Sequence, residues 1–353
     1  PDTPPSQPLP YPLWHWGGKI ALALLVCLGA GAMGWFAGKA WINAHISNPT
    51  PTTPTTVGER PESELENAPE TLSFPPTGDL EPEPNLDLSS AEQERQSALR
   101  DRRLSLGIDY EFFTTLVDLV FGQRYPDQNN RELTNSDADA SWRSKKAEIA
   151  NEMLNQLTSL SSEARFQLGN YDRGDRQSLI RIANELHLSS RALYDLTDGA
   201  FERAFPDWAD RNSDRVQQLS EPIGQVWQAF MTEQVRYLEN GMALQEVQIA
   251  PGTSSDRVAG TLQPGEGQAI IAQLTSGQVL DLFLNANPDI LISFYSPSGN
   301  QIFLEDARDR SWTGNLPESG YYEITLVSTS PQPLDYNLSL SVSAPLDSEE
   351  NEF

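Results

Sequence analysis

Apolar side chains recur at three- and four-residue spacing in four stretches between residues 110 and 238. In "DYEFFTTLVDLVFG" the face carries Phe113, Leu116, Val117 and Val120; in "KKAEIANEMLNQLTSL" it carries Ala150, Met153, Leu154, Leu157 and Leu160. "QSLIRIANELHLSS" follows with Leu179, Ile182, Ala183 and Leu186, and "PIGQVWQAFMTEQVRYL" with Ile223, Val226, Trp227, Phe230 and Leu238. Such spacing predicts amphipathic helices, with Ser161, Ser189 and Ser220 as their N-caps. Residues 92–243 are therefore expected to form an all-α domain. Within it, L-S-S-x-A-x-x-x-L occurs at 160–168 and again at 188–196, 28 residues apart. Two similarly capped helices account for this echo more simply than a duplication does.

After Ala243 the period drops to two. "DYNLSLSV" places Tyr336, Leu338, Leu340 and Val342 on one side, and "YYEITLV" does the same with Tyr322, Ile324 and Leu326. "QVLDLFLN" offers Leu280, Leu282 and Leu284, and "QPGEGQ", "NANPD", "SPSGN" and "LPESG" punctuate the runs as turns. Short alternating strands at this spacing predict an antiparallel β-sandwich, jelly-roll-like, of about eight strands over 244–343.

The other long apolar stretch lies near the start of the chain. Residues 20–37 contain no charged side chain, and aromatics sit at both ends, Trp14 and Trp16 before the run and Trp35 and Trp41 at its far end. At ~1.5 Å per residue such a helix covers one hydrocarbon core, with aromatic belts at both interfaces. The expected fold class is thus multidomain: a proline-rich tail (1–18), a single transmembrane helix (19–42) and a disordered Pro/Thr/Glu-rich linker (43–91), then the all-α domain, the sandwich and an acidic tail (344–353). A cleaved signal peptide is the competing reading, since Ala30-Gly31-Ala32 is a small-x-small site. Lys19 and Lys39 stand one at each end of the span, so the positive-inside rule gives no orientation. Ala30, Gly34 and Gly38 share one helix face, a spacing that permits a homodimer through close helix contact in the bilayer.

Composition narrows the chemistry. A net charge of −26 and a pI near 4.3 repel phosphate backbones, so nucleic acid is not an expected partner. Cys27 is the one cysteine, which excludes a disulfide framework and a cysteine zinc site. Of three histidines, His15 and His45 flank the apolar run, and only His187 falls in a folded region, where a structural role at a helix end is expected. Asp137, Asp139, Ser141 and Glu148, and separately Asp210, Asn212, Asp214 and Glu221, sit at EF-hand ligand spacing. Both sets lack the glycine that the loop turns on, having Trp142 and Arg215 instead, and read better as helix caps. Glu305, Asp306 and Asp309 form the weak calcium candidate, with Arg308 and Arg310 interleaved as ion-pair partners. No Gly-rich loop, H-R-D or D-F-G is present, so the chain itself is expected to be no enzyme and to hold no cofactor. A carboxylate-pair hydrolase is the least supported class, because nothing singles out a pair.

Two resemblances add to these readings. "GQVLDLFLNANPDILISFYSPSGNQIFLED", "LPESGYYEITLVS" and "LDYNLSLSV" resemble the bacterial pre-peptidase C-terminal family of β-sandwiches. That family implies an extracytoplasmic attachment module, in some members with calcium. "RDRRLSLGIDYEFF", "LSSRALYDLTDGAFERAFP" and "EPIGQVWQAF" resemble the region after the membrane helix in some cyanobacterial Hanks-type serine/threonine protein kinases. This second resemblance implies an inner-membrane, single-pass protein whose proline-rich tail (1–18) is cytoplasmic and whose residues after 42 are periplasmic. ATP and Mg would then belong to an upstream kinase domain. The expected function is a membrane-anchored sensory or binding region of a kinase-like receptor, with the lipid bilayer and an unknown envelope ligand as partners. The alternative is a kinase-independent anchored envelope protein that binds cell-wall polymer or another protein.

Overall fold

A computed structural model of the chain describes residues 88–129, 131–208, 218–249 and 255–343. The apolar run with Ala30, Gly34 and Gly38, the linker as far as residue 87 and the acidic tail lie outside them. Among the described residues no helix is long and apolar enough to cross a membrane. This finding corrects the expected fold class: the fold shown is a helical region followed by two β-sheets, with no spanning helix in it.

Among the described residues seven α-helices come first: α1 (Ser90–Leu106), α2 (Tyr110–Arg124), α3 (Ala140–Leu157), α4 (Ser162–Phe166), α5 (Arg173–Glu185), α6 (Ser190–Ala204) and α7 (Pro222–Glu239). Their ends follow local chemistry. Gly107, at φ 68°, closes α1 in the left-handed region that glycine tolerates. Asp109 accepts the Phe112 N–H at the start of α2, and Asp172 and Asp175 form a capping box on α5. Ser161 and Ser189 cap α4 and α6 as expected, accepting from Ala164 N and Ala192 N. Ser220 does not cap α7. Glu221 holds that position, because Pro222, which lacks an N–H, takes the first helical site.

The predicted helical faces are the ones that pack. Phe113, Leu116, Val117, Val120, Met153, Leu154, Leu157, Val226, Trp227 and Phe230 all enter one core. Helix α7 is buried on nearly every side, with Gln225, Gln228 and Glu233 buried beside its apolar residues. Gln225 bonds to Gly169, Tyr171 and Leu219, Gln228 Oε1 accepts from Arg176 Nε, and Glu233 accepts from Ser161 N.

Nine strands follow, β1 (Leu244–Val247), β2 (Ser255–Leu262), β3 (Gly267–Leu274), β4 (Val279–Ala286), β5 (Ile290–Tyr295), β6 (Ile302–Ala307), β7 (Ser311–Asn315), β8 (Gly320–Ser328) and β9 (Leu334–Ser343). They form a five-stranded sheet in the order β1-β3-β8-β5-β6 and a four-stranded sheet in the order β2-β9-β4-β7. Here too the expectation is corrected. β1 runs parallel to β3, so the larger sheet is mixed and not antiparallel throughout. The reason is connectivity: β1 leaves the end of α7 and returns as β3 only after β2 has been laid in the other sheet.

Alternation along the larger sheet divides its residues between two cores. Ile270, Ala272, Ile292, Phe294, Tyr322, Ile324 and Leu326 face the four-stranded sheet, where Leu280, Leu282, Leu284, Tyr336, Leu338 and Leu340 meet them. Ala269, Ile271, Tyr295 and Val327, on the opposite face, belong to the core of the helices. The arrangement is three layers, helices on a sheet on a sheet. Helix α6 makes the closest approach: a Cβ on Gly199 would lie 2.3 Å from Val327 Cγ1, and one on Gly267 would lie 2.5 Å from Leu196 Cδ2.

Candidate functional site

Two places in the described fold collect polar side chains against an apolar background. One is a cleft of about 1030 Å³ between α1, α2 and α3. Phe113, Val117 and Ala150 give it apolar lining, and Arg100, Thr114, Arg131, Arg143 and Lys146 bring polar groups to it. This size stands at the upper end of the range for small-ligand sites, ~300–1,000 Å³.

Ion pairs tie the helices around the cleft. Arg143 pairs with Glu92 at 2.9 Å, linking α3 to α1, and Lys146 pairs with Asp118, linking α3 to α2. Arg131 pairs with the buried Asp139, which also accepts from the Thr134 N–H and hydroxyl; these bonds hold its carboxyl below the usual range. Three of the cations that line the cleft are therefore already matched by carboxylates, and the cleft carries little uncompensated positive charge. No histidine or cysteine lines it. Its groups suit holding a ligand by shape, apolar contact and hydrogen bonds.

The second place is the seam where α6 lies on the larger sheet. Asp195, on α6, accepts from the Tyr295 hydroxyl at 2.8 Å (β5) and the Thr325 hydroxyl at 2.7 Å (β8). Glu323, on β8, accepts from the Ser189 N–H at 2.9 Å and the Ser189 hydroxyl at 2.7 Å, at the N-terminus of α6. Helix and sheet thus exchange carboxylates, one reaching in each direction. Glu323 is 3% exposed and Asp195 9%. Burial raises the Asp195 carboxyl to about 6, against the lowering effect of its hydroxyl partners, and nearby Asp306 adds to the rise. Burial likewise raises Glu323 to about 7, with Ser189 and Arg191 opposing and Asp195 adding. Tyr295 is raised by burial first and by Asp195 next, so it remains a hydroxyl donor.

The residues singled out by sequence are scattered across this frame. Glu305 pairs with Arg191 at 3.4 Å, and Arg310 donates to the carbonyls of Asn287 and Ile290. Asp306 stands at φ 47° with its N–H on Ser293 Oγ, and Asp309 is exposed in the turn after β6. Among the described residues no group of three or more His, Cys, Asp or Glu is placed to hold a metal ion. Asp137 and Asp139 begin a 3-10 turn (Asp137–Asp139) that runs straight into α3, so the EF-hand spacing there is wound into helix. Asp210, Asn212 and Asp214 lie outside the described residues. His187 takes a left-handed turn at φ 62° between α5 and α6 and stacks on Tyr321, ring centroids 3.9 Å apart. Asp195 and Glu323 were not among the expected site residues. A signal for them existed: in "GYYEITLVS" the positions opposite Tyr322, Ile324 and Leu326 are Tyr321, Glu323, Thr325 and Val327, three of them strand-favouring residues suited to a covered face.

No family model matches the chain. A serine/threonine-protein kinase-like protein E of Synechocystis sp. is 30% identical over 331 residues, which make up 92% of this chain and 48% of that protein. The chain thus spans about half the length of the curated relative it matches. Among solved structures, the periplasmic lysozyme inhibitor PliG of Aeromonas hydrophila (18% identity, TM-score 0.26) covers 29% of this chain and 96% of its own. The pre-peptidase C-terminal domain of a Bacillus anthracis collagenase (13% identity, TM-score 0.22) covers 28% and 94%. Overlaps this small carry nothing about function. The chain is, over nearly all its length, similar to one half of a serine/threonine-kinase-like protein.

Proposed function

We propose that this chain is the non-catalytic, ligand-binding portion of a serine/threonine-kinase-related protein, with the cleft between α1, α2 and α3 as its binding site. One observation supports this most: the similarity to the kinase-like relative runs along 92% of the chain, and no nucleotide or metal motif of a kinase occurs anywhere in the 353 residues. The matched half therefore corresponds to something other than the phosphotransfer machinery. The cleft supplies what such a portion needs, a concave and partly apolar site whose walls are already ordered by cross-helix ion pairs.

Two measurements test the reading. The purified chain, incubated with labelled ATP, Mg and casein, should transfer no phosphate; transfer that survives removal of contaminating kinases would overturn it. For binding, Ala147→Trp fills the cleft from α3, where Ala147 is half-buried. Hits from a fragment screen by ligand-observed NMR should lose their signal in this variant. Hits that persist unchanged would place binding elsewhere.

A further inference from the structure

The repeated L-S-S-x-A-x-x-x-L motif has a common structural use. In each copy the second residue caps a helix, and its N–H is given to a buried glutamate from a distant part of the chain. Ser161 N donates to Glu233 Oε1 at 2.9 Å, and Ser189 N donates to Glu323 Oε2 at 2.9 Å. The two glutamates are equally buried, each 3% exposed, but they differ in company. Glu233 has a guanidinium on it, from Arg236 one turn later. Glu323 bonds to the N–H and hydroxyl of Ser189, and the charges that act on it are the carboxylate of Asp195 and, more weakly, the guanidinium of Arg191, which is itself paired with Glu305.

We propose that the seam between α6 and the five-stranded sheet is a proton-operated latch, which Asp195 and Glu323 close while at least one of them carries a proton and loosen when both are ionised. The groups around the pair do not neutralise it. On α6, Arg191 lies over the Tyr295 ring and is paired with Glu305 of β6 at 3.4 Å. β6 also brings Asp306, a further negative charge acting on Asp195. β5 and β8 contribute the phenols of Tyr295 and Tyr321, and the turn before α6 contributes His187, stacked on Tyr321. β3, on the same face, has no titratable side chain. In α7, Glu233 and Arg236 pair with each other, and Asp207, in the turn after α6, pairs with Arg124. In α5, Arg176 donates to Gln228 and lies against Trp227, and Arg181 pairs with Glu185. Two ionised carboxylates here would repel each other in a medium of low polarity, and Arg191, the cation that acts on Glu323, is shared with Glu305.

The direction with pH follows from the raised values. Above the ordinary 3.8 and 4.5, an unfolded chain has released these protons while the seam still holds them. The contribution of the latch is therefore complete in acid below those ordinary values. It is lost progressively as pH rises through about 6 and about 7, the two groups titrating as a pair.

The test uses the whole 353-residue chain, with Glu323→Gln, Asp195→Asn and the double variant, each neutral at every pH while keeping an acceptor oxygen. In urea titrations between pH 5 and pH 8 the parent chain should lose stability as pH rises. The double variant should lose at least tenfold less in equilibrium constant across the same window. An identical loss in parent and double variant would assign it to the general −26 charge of the chain and overturn the latch. The parent chain alone gives two further readings, which decide the matter if the variants do not fold. Carboxyl carbon NMR should show two resonances that titrate between pH 5.5 and 7.5; all carboxyls titrating below pH 5 would refute it. Amide exchange, corrected for its intrinsic pH dependence, should accelerate in α6 relative to α3 on going from pH 5.5 to pH 8. Equal change in both helices would also refute it.

Discussion

Ser161 and Ser189 occupy the same place in the same nine-residue motif, yet their side chains are not equivalent. Each hydroxyl accepts from the N–H three residues on, Ala164 and Ala192. Only that of Ser189 also donates to a buried carboxylate. Ser161→Ala should therefore cost about 1 kcal/mol, the usual loss of a helix cap. Ser189→Ala should cost about 2–3 kcal/mol, because it also strips a hydroxyl donor from a carboxylate that is out of water. Urea denaturation of the two variants at one pH measures the difference, and equal losses would mean that the hydroxyl of Ser189 adds nothing beyond the cap. The caps themselves were readable, since Ser before an apolar-periodic run is a local signal. The partner of Ser189 was not, because Glu323 is 134 residues away and no local pattern ties a strand residue to one helix end.

Among elements, the helices and strands were legible wherever one apolar face repeats. β9 shows its buried side as Tyr336, Leu338 and Leu340, and α3 shows its own as Met153, Leu154 and Leu157. What periodicity leaves open is whether the other face of a strand meets water. β8 alternates as though half-exposed, and yet Glu323, Thr325 and Val327 are covered by α6. Nor does it give the direction of a short strand: β1 has four residues, too few for a pattern, and its parallel pairing with β3 depends on where α7 ends. The cleft was equally hidden, since its walls come from helices that meet only in three dimensions. Because Ala269, Ile271, Tyr295 and Val327 sit in the helical core, helices and sheets should open together. Amide exchange should give the innermost amides of α7 and of β9 the same opening free energy, within about 0.5 kcal/mol, a tolerance set by the additivity expected of one cooperative unit. A gap of several kcal/mol would mean that the sandwich survives loss of the helices.

For the molecule as a whole, the described residues fall within one compact unit. One face of the sandwich is committed to α6. Residues 244–343 produced alone should leave the helix-side face bare, with Ile271, Tyr295 and Val327 in water and Glu323 and Thr325 without Ser189 and Asp195. Light scattering should find that fragment associating or insoluble, while a stable monomer with native sheet content would show the face to be dispensable. The same covered face bears on how such a chain can be inherited. A genetic exchange that joined this sandwich to a foreign partner at residue 243 would separate Gly199 from Val327, contacts that admit no extra carbon atom. Helices and sheets would have to travel through evolution as one cassette. Recombination would then be tolerated at the margins of the pair and selected against at its middle, however much the sandwich alone looks like a part to be exchanged.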